Sequence, residues 1–295
     1  MAEFKFFCPQ CGQQIQCDTS YSGTQIDCPI CKQAIVVPQA SRAASAVRPS
    51  FPAKSPILRN VLIIAAVLLL AGLVIVGWYG YSKIKMHIAR GHLPPGLVSL
   101  WSGEGTANDS VGGNNGTMTG SAKFGSGKVG QGFVFDGDNG SGVLLGNPAS
   151  LQLQDFTIEA WIKRGSISMV SQNAPNGEIF SYQLDGYAFG LWDGRLFLSK
   201  MGVGNVTLRT GISDTNWHHV AVTKSGSKVI FYIDGTAHNV EPYAPTFDFA
   251  TPAAIGTAPT DDGTQTTFLG SIDEIGIFNR ALSASEIRAI YTQQK

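Results

Sequence analysis

The sequence has no cysteine beyond residue 31, since all five of its cysteines lie within the first 31 residues. Charged residues make up only 14 %, and 21 basic residues balance 21 acidic ones. So low a charge content argues against a disordered acidic or basic tail protein, and the zero formal charge makes nucleic acid an improbable partner. The 35 glycines follow no G-X-Y period, which excludes collagen and favours turn-rich β structure.

The overall charge balance conceals three segments of different composition. Residues 1–59 carry six basic and three acidic residues, and residues 60–96 carry three basic residues and no acid. Residues 97–295 carry the other 12 basic and 18 acidic residues, a net charge of −6. The two ends of the chain therefore have different chemistry, and each needs its own interpretation.

Four of the cysteines form two Cys-x2-Cys pairs, a pattern typical of zinc sites. Cys8 and Cys11 make the first pair, Cys28 and Cys31 the second, with 16 residues between the pairs. Four thiolates leave no open position on the ion, which indicates a structural site. The segment resembles the zinc-ribbon family, and zinc would supply on the order of 10 kcal/mol of folding energy. Two disulfides are the alternative, and Cys17 is predicted to be a free thiol.

Residues 61–79 form an uncharged apolar run of 19 residues. At about 1.5 Å per residue, such a helix matches the ~30 Å hydrocarbon layer of a bilayer. Trp78 and Tyr79 end the run, where aromatic rings favour the membrane interface. The run predicts a single transmembrane helix at 57–81, with the lipid bilayer as partner; a buried core helix is the alternative.

The orientation of this helix follows from redox chemistry more than from charge, since basic residues flank both ends. Zinc thiolates persist in a reducing cytoplasm. The N-terminus is therefore predicted to be cytoplasmic and the C-terminal domain extracytoplasmic, in an architecture that looks bacterial. A Pro/Ala/Ser-rich linker and a short basic stalk would flank the helix.

Beyond residue 97 the hydrophobic period is two. Residues 156–162 alternate between apolar and mostly polar positions, which predicts a half-buried strand. Asp193-Gly194 and Asp234-Gly235 are hairpin turn signals. Short strands punctuated at roughly ten-residue intervals indicate a sandwich or jelly roll. Near the end, a capping box from Ser283 to Glu286 predicts one helix.

Five motifs of this segment occur in an order that matches a known family. They are Trp101-Ser-Gly-Glu104, Phe156-Thr-Ile-Glu-Ala-Trp161-Ile, Trp217-His-His-Val-Ala221, Gly270-Ser-Ile-Asp273-Glu274-Ile and Asn279-Arg280-Ala-Leu-Ser283. The segment, over about 97–292, resembles the laminin-G-like jelly rolls. This resemblance implies an all-β fold, a concanavalin A-like lectin/glucanase sandwich of two antiparallel sheets with six or seven strands each. The fold alone does not imply a function, because it carries lectins, adhesion modules, glycosidases and spacers.

Catalytic signatures are absent from the sequence of this segment. Retaining glucanases of the fold carry an E-x-D-x-x-E strand, and neither that pattern nor G-x-S-x-G occurs. Glu159 stands alone, and the adjacent Asp273 and Glu274 point to opposite sides of a strand. His218 and His219 are interpreted as one outward and one inward side chain. We therefore expect no enzymatic activity.

The resemblance implies a calcium ion that joins the N-terminal loop to the last strand, and the matching positions are Asp109 and Asp273. Ca²⁺ takes six to eight oxygen ligands. The alternative is that Asp109 starts an Asx-turn and that Asp273 caps a strand end. For sugar binding, the candidate aromatic platforms are Trp161, Tyr187 and Trp192, although aromatic rings of a sandwich usually pack in its interior.

The sequence thus predicts a membrane-anchored, non-catalytic binding or adhesion module for a glycan or an extracellular protein. A transmembrane sensor that couples an external ligand to the cytoplasmic ribbon is the first alternative, and a carbohydrate-active enzyme is a weak second. The predicted sections are a zinc ribbon at 1–37, a linker at 38–56, a transmembrane helix at 57–81, a juxtamembrane stalk at 82–96 and a laminin-G-like jelly roll at 97–295.

Overall fold

The computed structural model describes residues 3–39, 93–138, 140–182, 184–258 and 266–294. The chain divides into two compact units, and these residues fall into an N-terminal ribbon and a C-terminal jelly roll. None of the described helices is long and apolar enough to cross a bilayer. The transmembrane helix predicted at 57–81 lies outside the described residues, as do most of the linker and the stalk.

The ribbon (residues 3–39) consists of two short antiparallel hairpins. Strand β1 pairs with β2, and β3 pairs with β4. Their bounds are β1 Glu3–Phe7, β2 Gln14–Asp18, β3 Gln25–Asp27 and β4 Ala34–Val36. Each hairpin has too few residues to bury a sizeable apolar face, so its stability depends on packing against the other.

The core of the ribbon is correspondingly small and contains cysteine. Its buried members are Phe6, Cys8, Ile15, Cys28, Ile35 and Val37. Two of these six residues belong to the Cys-x2-Cys pairs. The packing of the hairpins and the position of the thiols are therefore parts of one arrangement.

The jelly roll (residues 93–294) is a sandwich of two sheets. Sheet 1 has eight described strands, in the order β17-β16-β15-β10-β21-β8-β7, with β5 added against β21. Their bounds are β5 Leu97–Trp101, β7 Lys123–Ser126, β8 Gln131–Asp136, β10 Phe156–Arg164, β15 Trp217–Ser225, β16 Lys228–Ile233, β17 Thr236–Asn239 and β21 Leu269–Phe278.

Sheet 2 has nine described strands, in the order β14-β13-β12-β11-β18-β9-β6, with the short β19 and β20 beside β11. Their bounds are β6 Thr117–Thr119, β9 Gly142–Gly146, β11 Asn176–Tyr182, β12 Tyr187–Trp192, β13 Arg195–Lys200, β14 Gly204–Gly211, β18 Ala253–Ile255, β19 Thr257–Ala258 and β20 Thr266–Thr267.

The all-β sandwich expected from the sequence is confirmed. The main path of each sheet has seven strands, and the surplus over the expected six or seven comes from β5, β19 and β20. Both turn signals lie where they were predicted. Asp193-Gly194 joins β12 to β13 and Asp234-Gly235 joins β16 to β17, with positive φ at all four residues, as type I′ turns require.

Strand β10 corrects one expectation, because it is buried on both faces. Ile158 and Ile162 belong to the core between the sheets, whereas Thr157 and Glu159 alternate with them toward the opposite face, and all four are buried. The outer face of sheet 1 is covered by helix α1 (Ala284–Gln293). The alternation therefore predicts which face of the strand a side chain occupies, but both faces of β10 are buried.

Helix α1 begins at the predicted capping box. The Ser283 hydroxyl accepts from the Glu286 backbone N–H, and the Glu286 carboxylate accepts from the Ser283 N–H. Ile287 and Ile290 pack on sheet 1 together with Tyr232. Arg280 adds an ion pair with Glu286 at 2.6 Å, which fixes the entry of the chain into the helix.

Candidate functional site

The two Cys-x2-Cys turns of the ribbon bring four sulfurs together. The Sγ atoms of Cys8, Cys11, Cys28 and Cys31 all lie within 4.8 Å of one another. Within the described part of the chain, no other group of three or more Cys, His, Asp or Glu side chains has the spacing of metal ligands. Cys17 lies in β2 opposite Phe4, outside the cluster.

The two turns have the same backbone geometry. In the first, the Gly12 N–H donates to the Cys8 carbonyl at 2.9 Å; in the second, the Lys32 N–H donates to the Cys28 carbonyl at 3.0 Å. Gly12 and Lys32 both have positive φ, at 73° and 58°. The glycine was a visible turn signal, whereas Lys32 is a non-glycine residue in the same left-handed conformation, which sequence reasoning missed.

The sulfur spacing fits a tetrahedral thiolate site. Cys8 Sγ lies 3.8 Å from Cys31 Sγ, and Cys11 Sγ lies 3.7 Å from Cys28 Sγ. A disulfide would require about 2.05 Å. Two ligands of a tetrahedral zinc ion with Zn–S near 2.3 Å are about 3.8 Å apart. The four cysteines could therefore bind a metal such as zinc.

The thiols of the cluster do not ionise independently. A backbone hydrogen bond from Cys31, opposed by burial, lowers the pKa of Cys28 to about 6. The other thiols help to stabilise the first thiolate by hydrogen bonds, and each further thiolate would repel those already formed. A divalent cation removes that repulsion, so metal binding and deprotonation are linked.

Asp109 holds the loop that follows β5. Its Oδ1 accepts from the N–H groups of Leu100 and Val111 at 3.0 and 2.9 Å. Its Oδ2 accepts from those of Gly112 and Asn114 at 3.1 and 3.0 Å. The bond to Val111, two residues on, is the Asx-turn that the sequence allowed as an alternative to calcium.

Asp273 occupies a different position, on β21. Its Oδ2 accepts from the N–H groups of Lys128 and Val129 at 2.8 and 3.0 Å, and its Oδ1 from that of Glu274 at 2.8 Å. Burial, with a contribution from the charge of Glu104, raises the pKa of Asp273 to about 7 in spite of these bonds. Calcium binding by Asp109 and Asp273 stays a prediction.

Trp161 is buried under helix α1 and shows only 2 % of its surface. Its indole N–H donates to Gln294 at 2.7 Å, and its ring stacks on Tyr291 with centroids 5.7 Å apart. Lys128 places its ammonium 4.1 Å above the same ring. Because these groups cover both the edge and the faces, Trp161 offers no platform to a sugar.

Tyr187 lies in the core between the sheets and is fully buried. Its hydroxyl donates to the Leu151 carbonyl at 2.7 Å, and its ring centroid is 4.5 Å from that of Phe156. Tyr187 is therefore a packing residue, contrary to its selection as a candidate ligand platform.

Trp192 is the candidate aromatic that the structure places at the surface, with 41 % of its area exposed. It ends β12, opposite Asn176 on β11 and Arg195 on β13. It borders an open groove of about 290 Å³ on sheet 2. The lining residues are Asn176, Trp192, Phe197, Ser199, Lys200, Met201, Gly202, Val203, Gly204 and Asn205.

Two glycines, Gly202 and Gly204, belong to the lining of the groove, and a third lies close to Trp192. Gly190 lies two positions before Trp192 on β12 and is paired with both Glu178 and Phe197. A Cβ atom at Gly190 would lie 2.4 Å from the Gly177 carbonyl oxygen, so a side chain does not fit there. Trp192 shares the lining of the groove with amide and hydroxyl groups, whereas the Lys200 ammonium is paired with Asp185 and Asp248 at 3.6 and 3.1 Å.

Sequence reasoning missed the polar part of this groove. Asn176, Asn205 and Lys200 lie on three different strands or their connections, so nothing in their spacing announces a site. The one available signal was Glu178, a carboxylate inside an otherwise apolar strand.

The two adjacent histidines point to opposite sides of β15, as expected. His219 is fully buried and contacts Glu159 at 3.0 Å. His218 lies between Asp234, 2.8 Å from Nδ1, and Asp214, 3.1 Å from Nε2. Each ring has carboxylate partners within the fold, which fits the structural interpretation.

A family model described as the concanavalin A-like lectin/glucanases superfamily matches residues 136–288, more than half of the chain. The chain belongs to this superfamily. Proteins of this fold include both binding modules and enzymes. Membership of the superfamily therefore establishes the architecture of the jelly roll, and the function has to be inferred from the site. No curated protein sequence matches the chain significantly.

Solved structures confirm the fold of the superfamily. Domain 4 of AbnA, a GH43 extracellular arabinanase from Geobacillus stearothermophilus, was solved in complex with arabinotriose. It is 22 % identical, with a TM-score of 0.54 over 66 % of this chain and 98 % of that one. The binding domain of Paraclostridial Mosquitocidal Protein 1 is 16 % identical, with a TM-score of 0.53 over 66 % of this chain and 52 % of that one.

The binding domain of botulinum neurotoxin DC, solved in complex with rat synaptotagmin II, is also similar. It is 13 % identical, with a TM-score of 0.53 over 68 % of this chain and 52 % of that one. The chain thus spans about half the length of the two toxin domains. At these identities the likeness shows the fold alone.

Proposed function

We propose that the jelly roll is a non-catalytic binding module whose ligand, a glycan, lies in the groove beside Trp192. The observation that carries this proposal is the exposed indole at the edge of a concave surface that also presents two amides and a hydroxyl group. Sugars have apolar faces that stack on aromatic rings and hydroxyl groups that need such polar partners. The complex of the similar AbnA domain with arabinotriose supports a glycan as the first ligand class to test.

The composition of the groove supports binding without hydrolysis. Among the described residues that line it, none is Asp or Glu. Glycoside hydrolysis commonly uses two carboxyl groups that flank the scissile bond, about 5–10 Å apart. Glu178 lies next to Asn176 but is fully buried, and one enclosed carboxyl group does not meet that requirement.

The test compares two tryptophans of the same domain. Trp192→Ala should weaken the binding of oligosaccharides, beginning with arabinotriose, at least about tenfold, because a central tryptophan often contributes more than 1.4 kcal/mol. Trp217→Ala on β15 of sheet 1 removes the same side chain away from the groove and should leave the affinity unchanged. Isothermal titration calorimetry with the full chain measures both.

Three results would count against this proposal. If no oligosaccharide of a broad panel binds, the ligand is not a glycan. If Trp192→Ala binds as tightly as the wild type, the groove is not the site. Release of reducing sugar from the panel would overturn the non-catalytic assignment.

For the N-terminal part, we propose that the ribbon holds structural zinc in the cytoplasm and that residues 57–81 anchor the jelly roll outside the membrane. Thiolate zinc sites persist in reducing compartments, and the jelly roll has no cysteine that would need oxidation. A membrane-impermeant thiol reagent, applied to intact cells, should therefore leave the five cysteines of this protein unmodified. Their modification on intact cells would reverse the proposed orientation.

The sensor alternative differs in what the ribbon does. A sensor needs the ribbon for its output, whereas an adhesion module does not. Deletion of residues 1–50 should therefore leave surface binding of the glycan intact. Loss of a cellular response with unchanged binding would favour the sensor.

A further inference from the structure

Glu178 is the one described carboxyl group on β11, and no solvent reaches it. It projects from the same face of sheet 2 as Trp192, since Glu178 pairs with Gly190 and Asn176 pairs with Trp192. Burial of an acid at this place, one residue pair from the groove, costs free energy unless its hydrogen bonds are satisfied.

The carboxyl group makes one hydrogen bond of good geometry within the described part of the chain. Asn176 Nδ2 donates to Glu178 Oε1 at 2.7 Å. Glu178 Oε2 is buried and has no hydrogen-bond partner among the described atoms, and the same is true of the Thr266 hydroxyl on β20. Oε1 of Glu178 therefore accepts from a residue that lines the groove, and Oε2 is available to bind a proton.

The protonation state of Glu178 decides which way the Asn176 amide can face. An ionised carboxylate only accepts hydrogen bonds, so the amide must turn its NH₂ group toward Glu178. A protonated carboxyl group can also donate, and then either end of the amide can face it. Ionisation therefore selects a single orientation of Asn176, with its Oδ1 turned away from Glu178.

We propose that Glu178 is a positioning residue that holds the Asn176 amide with Oδ1 available to a ligand hydroxyl, and that deprotonation of Glu178 tightens this hold. The inference deepens the proposed glycan-binding function and rests on it. A charge-assisted hydrogen bond is about twice as strong as a neutral one. A ligand hydroxyl that donates to Oδ1 therefore binds better when Glu178 is ionised.

The expected transition lies in the physiological range. Burial, opposed by the hydrogen bond from Asn176, raises the pKa of Glu178 to about 7. The neighbouring strands β18, β19 and β20 carry no titratable side chain, and Tyr187 of β12 faces the core. The cations nearest in the sheet, Lys200 and Arg195, lie on β13, beyond β12.

The test follows the side-chain amide of Asn176 by NMR in the full chain labelled with ¹⁵N-asparagine, with Asn176→Gln to assign its signals. Between about pH 5 and pH 9, the Asn176 signals should shift with a midpoint near 7 in the wild type and should be constant in Glu178→Gln. Asn205 is the internal control, because it lines the same groove and its Oδ1 accepts from the Thr207 hydroxyl instead. Its signals should not follow this transition.

Two results would overturn the inference: Asn176 signals that do not titrate, or a titration that persists in Glu178→Gln. If that variant does not fold, the ¹³Cδ signal of Glu178 in the wild type takes its place. Its midpoint must coincide with that of the Asn176 amide, and different midpoints would reject the coupling.

Binding of arabinotriose provides the second arm. The affinity of the wild type should rise about two- to tenfold from pH 5.5 to pH 8.5, as one amide orientation becomes fully populated, and that of Glu178→Gln should stay constant. Binding without this pH dependence rejects the inference and keeps the proposed function. A complete absence of binding to the whole oligosaccharide panel rejects the proposed function, while the NMR titration still decides whether Glu178 positions Asn176.

Discussion

The ribbon and the jelly roll are both built from antiparallel strands, yet they are stabilised in different ways. The ribbon core has six buried residues, and two of them are cysteines of the four-cysteine cluster. The jelly-roll core is made of aliphatic and aromatic side chains such as Phe180, Phe189 and Phe231, and its sequence has no cysteine. The comparison shows that the size of a unit decides how it is stabilised. A short segment cannot bury enough apolar surface to fold by packing alone, whereas a chain of about 200 residues can.

The same difference decides where each unit carries its candidate site. In the ribbon, the site lies in the two turns and is also the centre of the core. In the jelly roll, the core is separate from the groove, which occupies a sheet face built over it. Changes at the ribbon site should therefore unfold the unit, while changes at the groove should alter binding alone.

The largest expected effect follows from disruption of the four-cysteine cluster. Cys28→Ser should abolish zinc binding and unfold the ribbon, because zinc supplies on the order of 10 kcal/mol to such a unit. The melting transition of the jelly roll should not change. Metal analysis and NMR of the full chain measure the two effects. Cys17→Ser is the matched control and should keep the metal; a folded ribbon without zinc in Cys28→Ser would contradict the comparison.

A core truncation tests the opposite case. Phe180 is fully buried and packs against Trp101 and Tyr187, with ring centroids 6.4 and 5.8 Å apart. Phe180→Ala should lower the free energy of unfolding of the jelly roll by about 3–5 kcal/mol, with the zinc content unchanged. Denaturant unfolding measures the loss. Leu184→Ala, at a residue with 66 % exposure, should have almost no effect.

The anchoring of the Asp109 loop has an intermediate expected effect. Asp109→Ala removes the acceptor of four backbone N–H groups and should cost about 2–4 kcal/mol. Thermal unfolding measures it, with and without calcium.

The calcium prediction is decided by the same experiment. If Asp109 and Asp273 share an ion, calcium raises the melting temperature of the wild type, and Asp273→Ala abolishes that rise. A wild-type melting curve that is the same in calcium and in chelator would leave hydrogen bonding as the whole role of both residues. Either result sharpens the comparison, since it shows whether the larger unit uses a metal, as we propose for the ribbon.

The smallest expected effect is a pH dependence of the jelly roll. Burial opposes the charging of His218, but hydrogen bonds to Asp234 and Asp214 outweigh it and raise its pKa above 6.5. The folded state therefore binds this proton more tightly than the unfolded state. The resulting stability is complete below the unfolded pKa and is lost as the pH rises through the folded pKa.

Because the contacts of His218 with Asp234 and Asp214 lie near the surface, they should contribute at most about 1 kcal/mol to the free energy of unfolding. His218→Gln should remove that part of the pH dependence, as measured by urea unfolding between about pH 5 and pH 9. A pH profile that is identical in the variant and the wild type would show that the two contacts do not stabilise the charged ring.

Much of the fold was predictable because its signals are local. The spacing of the four cysteines, the Asp-Gly turns and the Ser283–Glu286 capping box each act within a few residues, and all occur as predicted. The accessibility of the candidate aromatics was not predictable. Trp161 is covered by Tyr291 and Gln294 from the far end of the chain, and no pattern around Trp161 reports their approach.

The sequence alone determined the division into a cysteine-bearing N-terminal unit and a β-rich C-terminal one, because composition and periodicity are properties of the chain itself. Tertiary structure decided which of the alternating side chains meet solvent. Strand β20 lies far from β11 in sequence but pairs with it in sheet 2, with Thr267 opposite Glu178, so these neighbours meet only once the sheet has formed. Burial depends on these neighbours, and the character of the groove depends on burial.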